Sequence, residues 1–512
     1  MFYLPLVRID CGQGGGYLLH KKLPIFYSAL MLTGVNLLLR FVGTSFQVYL
    51  SGRIGAAGIG LLQLVMSVGT LAMVAGIAGI RTATMYLAAE ELGKNRPQNI
   101  TWVLSGCLLY SFSFSIGISY LLYQFAPWIA ENWIADPRTV GALRLYATFL
   151  PISCLCAVMT GYFTAANRIG TLAAVEVAEQ AVSMAITIAA LFLWAGTDPV
   201  RACQCIILGS CLGACLTLSC LIILRIREKT ACGAKIPVCR RILQSALPLA
   251  TADNFKSGIN TAENLMVPKR LAQCKSVSDP LAAFGMVSGM VFPLIMFPMA
   301  ILFGLAELLV PELARCNAAG SKDRIHYLVT KSLRVALIYG LCFGGLTYLL
   351  AEELCFRLYK TTEAAPYLQS YALLIPMLYC DCLTDAMVKG LGLQTVSVRY
   401  NIFTSSLDVF LLYILLPNFG MEGYFVSFLI THTVNFLLSL RLLLKITIKR
   451  IPVSVPILSA VAVFFSVWSA SYVQNSVFRF CSFLLILGSL LFLFRILSLA
   501  DVRWVRNLIY EK

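Results

Sequence analysis

A chain of 512 residues in which 59% are hydrophobic and only 12% charged carries about half the charged share of a soluble domain, and its mean hydropathy is +0.82. That excludes a soluble globular protein. The formal net charge of +16 reads as membrane topology with some attraction to anionic headgroups, and is no argument for nucleic acid.

Taken in chain order, residues 1–22 form a flexible cytoplasmic leader, since Asp10 to Gly16 is glycine-rich and nothing before Cys11 makes a lipoprotein cleavage site. Apolar stretches of about 20 residues then predict spans at 25–50, 54–80, 100–124, 143–164, 172–195, 202–224, 244–267, 281–309, 329–350, 367–389, 397–417, 424–444, 453–473 and 478–497, fourteen in all. Twelve divide into an N-lobe over 23–225 and a C-lobe over 242–446, six spans each, joined by a basic cytoplasmic linker at 226–241; the last pair and a cytoplasmic tail occupy 447–512. Basic residues are retained on the cytoplasmic side, and an inside N-terminus puts roughly 28 of them in cytoplasmic segments and roughly 10 outside. Both termini are therefore cytoplasmic. No segment between spans exceeds about 30 residues, which leaves no room for a catalytic domain, so the chain is not expected to be an enzyme.

One membrane segment is written twice, 225 residues apart: Leu143, Tyr146, Ala147 and Pro151 recur as Leu368, Tyr371, Ala372 and Pro376. Each proline lies inside a long apolar run, which predicts two spans broken or kinked near their middles. The same offset carries Gly60 onto Gly285 and sets Met85–Glu91 near Val310–Cys316. Two related lobes around a central cavity are how many secondary transporters build alternating access. Most of the 18 cysteines fall inside spans, where free thiols act as small apolar residues. Cys154-x-Cys156, Cys203-x-Cys205 and Cys380-x-Cys382 lack the spacing and histidine partners of a zinc site. No phosphate-binding loop is present, so no cofactor is expected.

Ile54-Gly-Ala-Ala-Gly-Ile-Gly-Leu-Leu-Gln63, Ala75-Gly-Ile-Ala-Gly-Ile-Arg81, Ala88-Ala-Glu-Glu-Leu-Gly93, Leu247-Pro248 and Asn260-Thr-Ala-Glu-Asn-Leu-Met-Val-Pro-Lys-Arg270 together resemble the stage V sporulation protein B group, in the polysaccharide flippase branch of the multidrug/oligosaccharidyl-lipid/polysaccharide (MOP) exporter superfamily. The resemblance runs along essentially the whole chain. It implies two six-helix lobes around a cavity plus two extra helices, in a bacterial plasma membrane. It also implies movement of a polyprenyl-pyrophosphate-linked sugar from the inner to the outer leaflet, for spore cortex or envelope assembly, with envelope-synthesis enzymes as partners. A multidrug or cation antiporter of the same superfamily and a non-transporting envelope scaffold are the alternatives.

Ionisable groups inside a membrane are costly, so those that remain face a cavity or one another. Arg40, following Asn36 in the first span, has the planar fork that suits phosphate; otherwise it is a structural arginine snorkelling to the interface. The resemblance supports the first role, because related lipid II flippases carry Arg-x-x-Gly here, as in Arg40-Phe-Val-Gly43; their second arginine, six residues on, is replaced by Phe46. In span seven, Asp253, Lys256, Asn260, Glu263 and Asn264 recur at three- and four-residue steps and share a face. That stripe is expected to line the cavity, with Asp253 and Lys256 paired, or else to fix lobe packing through a buried ion pair. Arg81 and Glu307 stand at corresponding cytoplasmic ends as an inner gate or as solvated helix ends, while Lys269 and Arg270 stand where cargo phosphates leave. Asp381 with Asp385, and Thr404 with Asp408, place carboxylates on single helix faces suited to Na⁺ or H⁺. The resemblance carries a cation site onto Asp408, Thr404 and Thr431. The coupling agent is then Na⁺, H⁺ or the membrane potential, with packing as the alternative.

Overall fold

The computed structural model describes residues 22–94, 97–166, 168–195, 198–227, 239–275, 277–447, 454–494 and 496. Most of the leader, the middle of the linker and the tail lie outside the described residues. The helices are α1 (Lys22–Ile77), α2 (Ile80–Gly93), α3 (Ile100–Ile129), α4 (Val140–Ala165), α5 (Ile169–Ala190), α6 (Pro199–Arg227), α7 (Cys239–Leu271), α8 (Pro280–Met286), α9 (Phe292–Ala318), α10 (Lys322–Leu349), α11 (Ala351–Tyr359), α12 (Ala365–Ala372), α13 (Ile375–Gly390), α14 (Gln394–Thr447), α15 (Ser454–Ser471) and α16 (Ser476–Leu493). No strand occurs among the described residues.

Hydrocarbon offers no partner to a free peptide group, so apolar runs of this length pair their own backbone as helices. Nine helical stretches among the described residues are long and apolar enough to cross a bilayer, ten when the bent pair α12–α13 counts as one. Two of the nine are broken at a glycine, α1 at Gly55 (φ 70°, ψ 176°) and α14 at Gly420 (φ 58°, ψ −132°). Only glycine takes such angles cheaply, and the breaks fall where the sequence separates spans one from two and eleven from twelve. Helix α7 is too polar to count as apolar and α15 has a short apolar stretch, Pro456–Ser471. The helices follow the expected segments in order, with the amphipathic α11 as an addition in the loop after span nine.

The repeat is visible as contact. A methyl group built on Gly285 would stand 2.8 Å from the Gly60 nitrogen and 3.0 Å from the Ala56 carbonyl carbon, closer still to the Ala56 oxygen. On Gly60 it would collide with the Leu281 carbonyl oxygen and lie 3.1 Å from that residue's Cδ1. Residues 56 and 281 are themselves repeat mates, so each glycine presses on the residue four before its own counterpart. Small residues allow membrane helices to approach this closely. One turn on, Gly289 accommodates Ile59 in the same way, and Gln47 donates through Nε2 to the Gly289 carbonyl at 3.4 Å. These contacts join α1 to α8 and the turn after it along a seam near Gly55.

The two prolines behave differently: the second copy's span is broken as expected, while the first copy's is not. Pro376 follows a 54° bend between α12 and α13, whereas Pro151 sits inside the unbroken α4. Proline denies a hydrogen bond to the carbonyl four residues earlier. In the first copy that carbonyl, Ala147, accepts from the Ser119 hydroxyl at 2.6 Å. The repeat mate of Ser119 is Gly344, which has no hydroxyl to give. Its bare Cα instead lets α10 close on the bend: a methyl there would stand 2.9 Å from the Ala372 oxygen, and one on Gly340 would stand 2.7 Å from Pro376 Cα.

At the chain's end α15 and α16 pack against α10, with Phe483 and Val463 seated on Gly345. The Ser476 hydroxyl donates to Glu353 on α11, and with Arg357 it holds that carboxyl below the usual range.

Candidate functional site

Arg40 is exposed and extends from α1 toward α9, its guanidinium carbon 4.5 Å from the centre of the Phe303 ring. Just beyond it α1 and α9 enclose a cavity of about 220 Å³ bordered by Arg40, Gly43, Thr44, Gln47, Pro293 and Phe297. Gln180 of α5 supports this stretch of α1 by donating to the Leu39 carbonyl at 3.2 Å. No carboxylate lies within ion-pair distance of Arg40 among the described residues. An arginine held over a ring without an acid keeps its fork free for an anion. The side chain of Asn36 lies outside those described.

The polar stripe of α7 divides. Asp253, Lys256 and Asn260 are exposed, and Asp253 and Lys256 form no ion pair, contrary to expectation; between accessible side chains such a pair gains too little to fix two rotamers. Further along, neighbouring residues point about 100° apart and reach opposite halves of the chain. Asn264 donates to the Ser67 hydroxyl at 3.0 Å, and the Thr261 hydroxyl to the Ser67 carbonyl at 3.2 Å. Glu263 turns to α14, where its carboxyl comes close to that of Asp408. It therefore joins the expected cation cluster rather than a headgroup set.

That cluster is well built. Asp408, 7% exposed, accepts from Ser427 at 2.6 Å and Thr431 at 3.3 Å. Tyr424 is buried beside both carboxyls, and the buried Tyr371 hydroxyl near Asp408 has no hydrogen-bond partner. Two carboxyls in such contact share a proton or hold a cation between them. Thr404 stands apart from the expectation, because its hydroxyl donates back to the Tyr400 and Asn401 carbonyls at 2.9 and 3.2 Å. No group of three or more His, Cys, Asp or Glu residues suited to a metal ion occurs among the described residues. Nearby, Asp381 accepts from Asn435 at 3.0 and 3.2 Å and faces His432 at 3.5 Å, while Asp385 binds Lys389 and Ser397. The pair expected to share one face therefore has separate partners.

Of the expected gates, Arg81 is exposed and stands beside Glu176 of α5 within its own half; the side chain of Glu307 lies outside those described. Lys269 donates to the Asn132 carbonyl. Arg270 donates to Gln273 at 3.1 Å and covers the Tyr413 ring at 3.4 Å.

Two features escaped the sequence. Arg241, assigned to the linker, bonds Glu90 at 2.7 Å and the buried Glu91 at 2.9 Å, with Asn99 also on Glu91 at 2.9 Å. Glu176 and Glu179 lie inside the fifth span, and Glu179 accepts from Thr217 at 2.6 Å. The Glu-x-x-Glu spacing in an apolar run was the available signal for the second; nothing local marks the first.

Among the described residues the chain is all-helical and multi-pass, with a repeat seam and charged groups inside its spans, an architecture that many secondary transporters use. The chain belongs to the MatE family, whose profile matches residues 33–200 and 275–414. It is 23% identical over 476 residues, 89% of each chain, to stage V sporulation protein B of Bacillus subtilis (strain 168). Its fold is similar to the lipid II flippase MurJ in an inward closed conformation, with TM-score 0.69, 14% identity, and 94% of this chain and 100% of the other covered. It is also similar to an inward-facing multidrug resistance MATE family transporter of the MOP superfamily, with TM-score 0.65, 13% identity, and 82% and 99% covered. The chain thus belongs to the MatE family and shares its fold with these transporters.

Proposed function

We propose that this protein is a flippase. It carries a lipid-linked oligosaccharide or peptidoglycan precursor from the inner to the outer leaflet by alternating access, in the envelope or spore cortex of a bacterium. The observation that carries the reading is Arg40, without an acid partner among the described residues, set over Phe303 and lining the α1–α9 groove. A cation antiporter needs acids at that place, and an anionic pyrophosphate needs the arginine. With both termini cytoplasmic, the glycine seam closes the outer end and leaves Arg40 to an inward-opening cavity. Lys256 and Asn260, exposed on α7, complete the headgroup contacts, with Asp253 beside them, and Lys269 and Arg270 meet the phosphates at the exit.

Membrane potential favours the outward passage of an anionic headgroup by about 2.3 kcal/mol per charge per 100 mV and draws a bare arginine back. The Glu263–Asp408 pair with Ser427 and Thr431 is the place where H⁺ or Na⁺ would bias the return. Complementation of a flippase-depleted bacterium by the wild type and by Arg40→Ala tests the reading, scored by precursor reaching the outer leaflet. Rescue by the wild type alone is expected. Rescue by both reduces Arg40 to a structural residue; rescue by neither, with protein in the membrane, points to another cargo or to a scaffold.

A further inference from the structure

We propose that a second groove, between α7 and the second half of α1, seats one outer-leaflet lipid with its phosphate on Lys269 and Arg270 and a chain along an apolar shaft. The cavity measures about 520 Å³, and Leu71, Leu265 and Met266 wall it below the two cations, with Trp133 and Tyr413 at the rim.

The repeat locates this groove. Leu71 is the mate of Met296, Leu265 of Arg40 and Lys269 of Thr44, and Arg40, Thr44 and Met296 all line the α1–α9 cavity. The two openings are therefore equivalent under the repeat and lie on opposite sides of the seam. Their charges sit at different depths. Arg40 is inside the first span, four residues before the mate of Lys269, whereas Lys269 and Arg270 occupy the last turn of α7, at the end of its span.

Neither cation has a carboxylate partner among the described residues. Lys269 donates to a peptide oxygen, and Arg270 is oriented by the Gln273 amide and the Tyr413 ring. Two adjacent, uncompensated charges above an apolar shaft complement a molecule with an anionic head and a hydrocarbon tail. A free phosphate would use the cations and leave the shaft empty; a lipid uses both. As a transport step the inference rests on the flippase reading, in which the cargo's phosphate leaves past this end of α7, but lipid binding is measurable without transport, so either can fail alone.

The test is native mass spectrometry of the full-length protein in detergent, titrated separately with dioleoyl phosphatidylglycerol and dioleoyl phosphatidylcholine, and with inorganic phosphate as competitor. The wild type should retain the anionic lipid about tenfold better, the sum of two interfacial cations less detergent losses. Lys269→Gln with Arg270→Gln should abolish that preference, and Lys269→Arg should keep it, as a check on folding. Gly258 lines the shaft with open space around its Cα, so Gly258→Leu should lower retention of both lipids. A preference that survives the double substitution, or unchanged retention in Gly258→Leu, overturns the proposal. Full displacement of the lipid by inorganic phosphate overturns it in favour of a free-anion site.

Discussion

Gly285→Ala is the smallest change that should disable one half of the transport cycle. Its methyl would stand 2.8 Å from the Gly60 nitrogen and 3.0 Å from the Ala56 carbonyl carbon, where side-chain carbons need roughly half an ångström more. Both obstacles are backbone atoms of a continuous helix, so no rotamer change relieves them, and α1 and α8 must separate. Overpacking of this kind costs about 1–3 kcal/mol. The cost falls only on the state in which the seam is shut, so it shifts the population toward opening at that end by about 5- to 150-fold. Spin labels at Gly52 and Ser278, both exposed near the seam, should report a longer distance by double electron-electron resonance in Gly285→Ala, and Gly60→Ala should do the same. Transport should fall although the protein inserts. An unchanged distance distribution with normal transport would refute a close-packed seam.

Two further outcomes follow from the second pair of repeat mates and from the cation cluster. Ser119→Ala should leave the Ala147 carbonyl unpaired beside Pro151 and destabilise α4 by about 1–3 kcal/mol, and Gly344→Ser should clash rather than repair the bend; an unchanged thermal unfolding temperature in both variants would refute this account. Asp408→Asn should remove any dependence of transport on an ion gradient while retaining flipping driven by potential, and gradient dependence that persists in the variant would move the coupling site elsewhere.

Helix positions were legible in the sequence because hydrocarbon imposes one rule on every span, and apolar length reports it. The repeat was legible as well, since prolines are rare enough inside spans to be matched. What sequence could not supply was partnership. Glu263 and Asn264 belong to one polar stripe by spacing, yet one angular step sends them to different halves, and only the neighbours at Asp408 and Ser67 reveal that. Arg241 looked like linker because its acids lie about 150 residues earlier. The mismatch of the two proline helices turned on Ser119 against Gly344, a difference that matters only once a third helix is known to pass the orphan carbonyl.

A residue that presses against its own repeat mate is behaving as residues do on the dyad of a homodimer, where each patch must fit a copy of itself. The Gly60–Gly285 contact thus lies where an axis relating the two halves would pass. A homodimer could not hold an arginine in one opening and lack it in the other. A single chain is free of that constraint: position 40 is arginine while its mate, 265, is leucine, and the cations of the other opening stand about one helical turn further along, at 269 and 270. The symmetric seam supplies a common pivot, and the asymmetry allowed by a single chain makes its two side openings inequivalent.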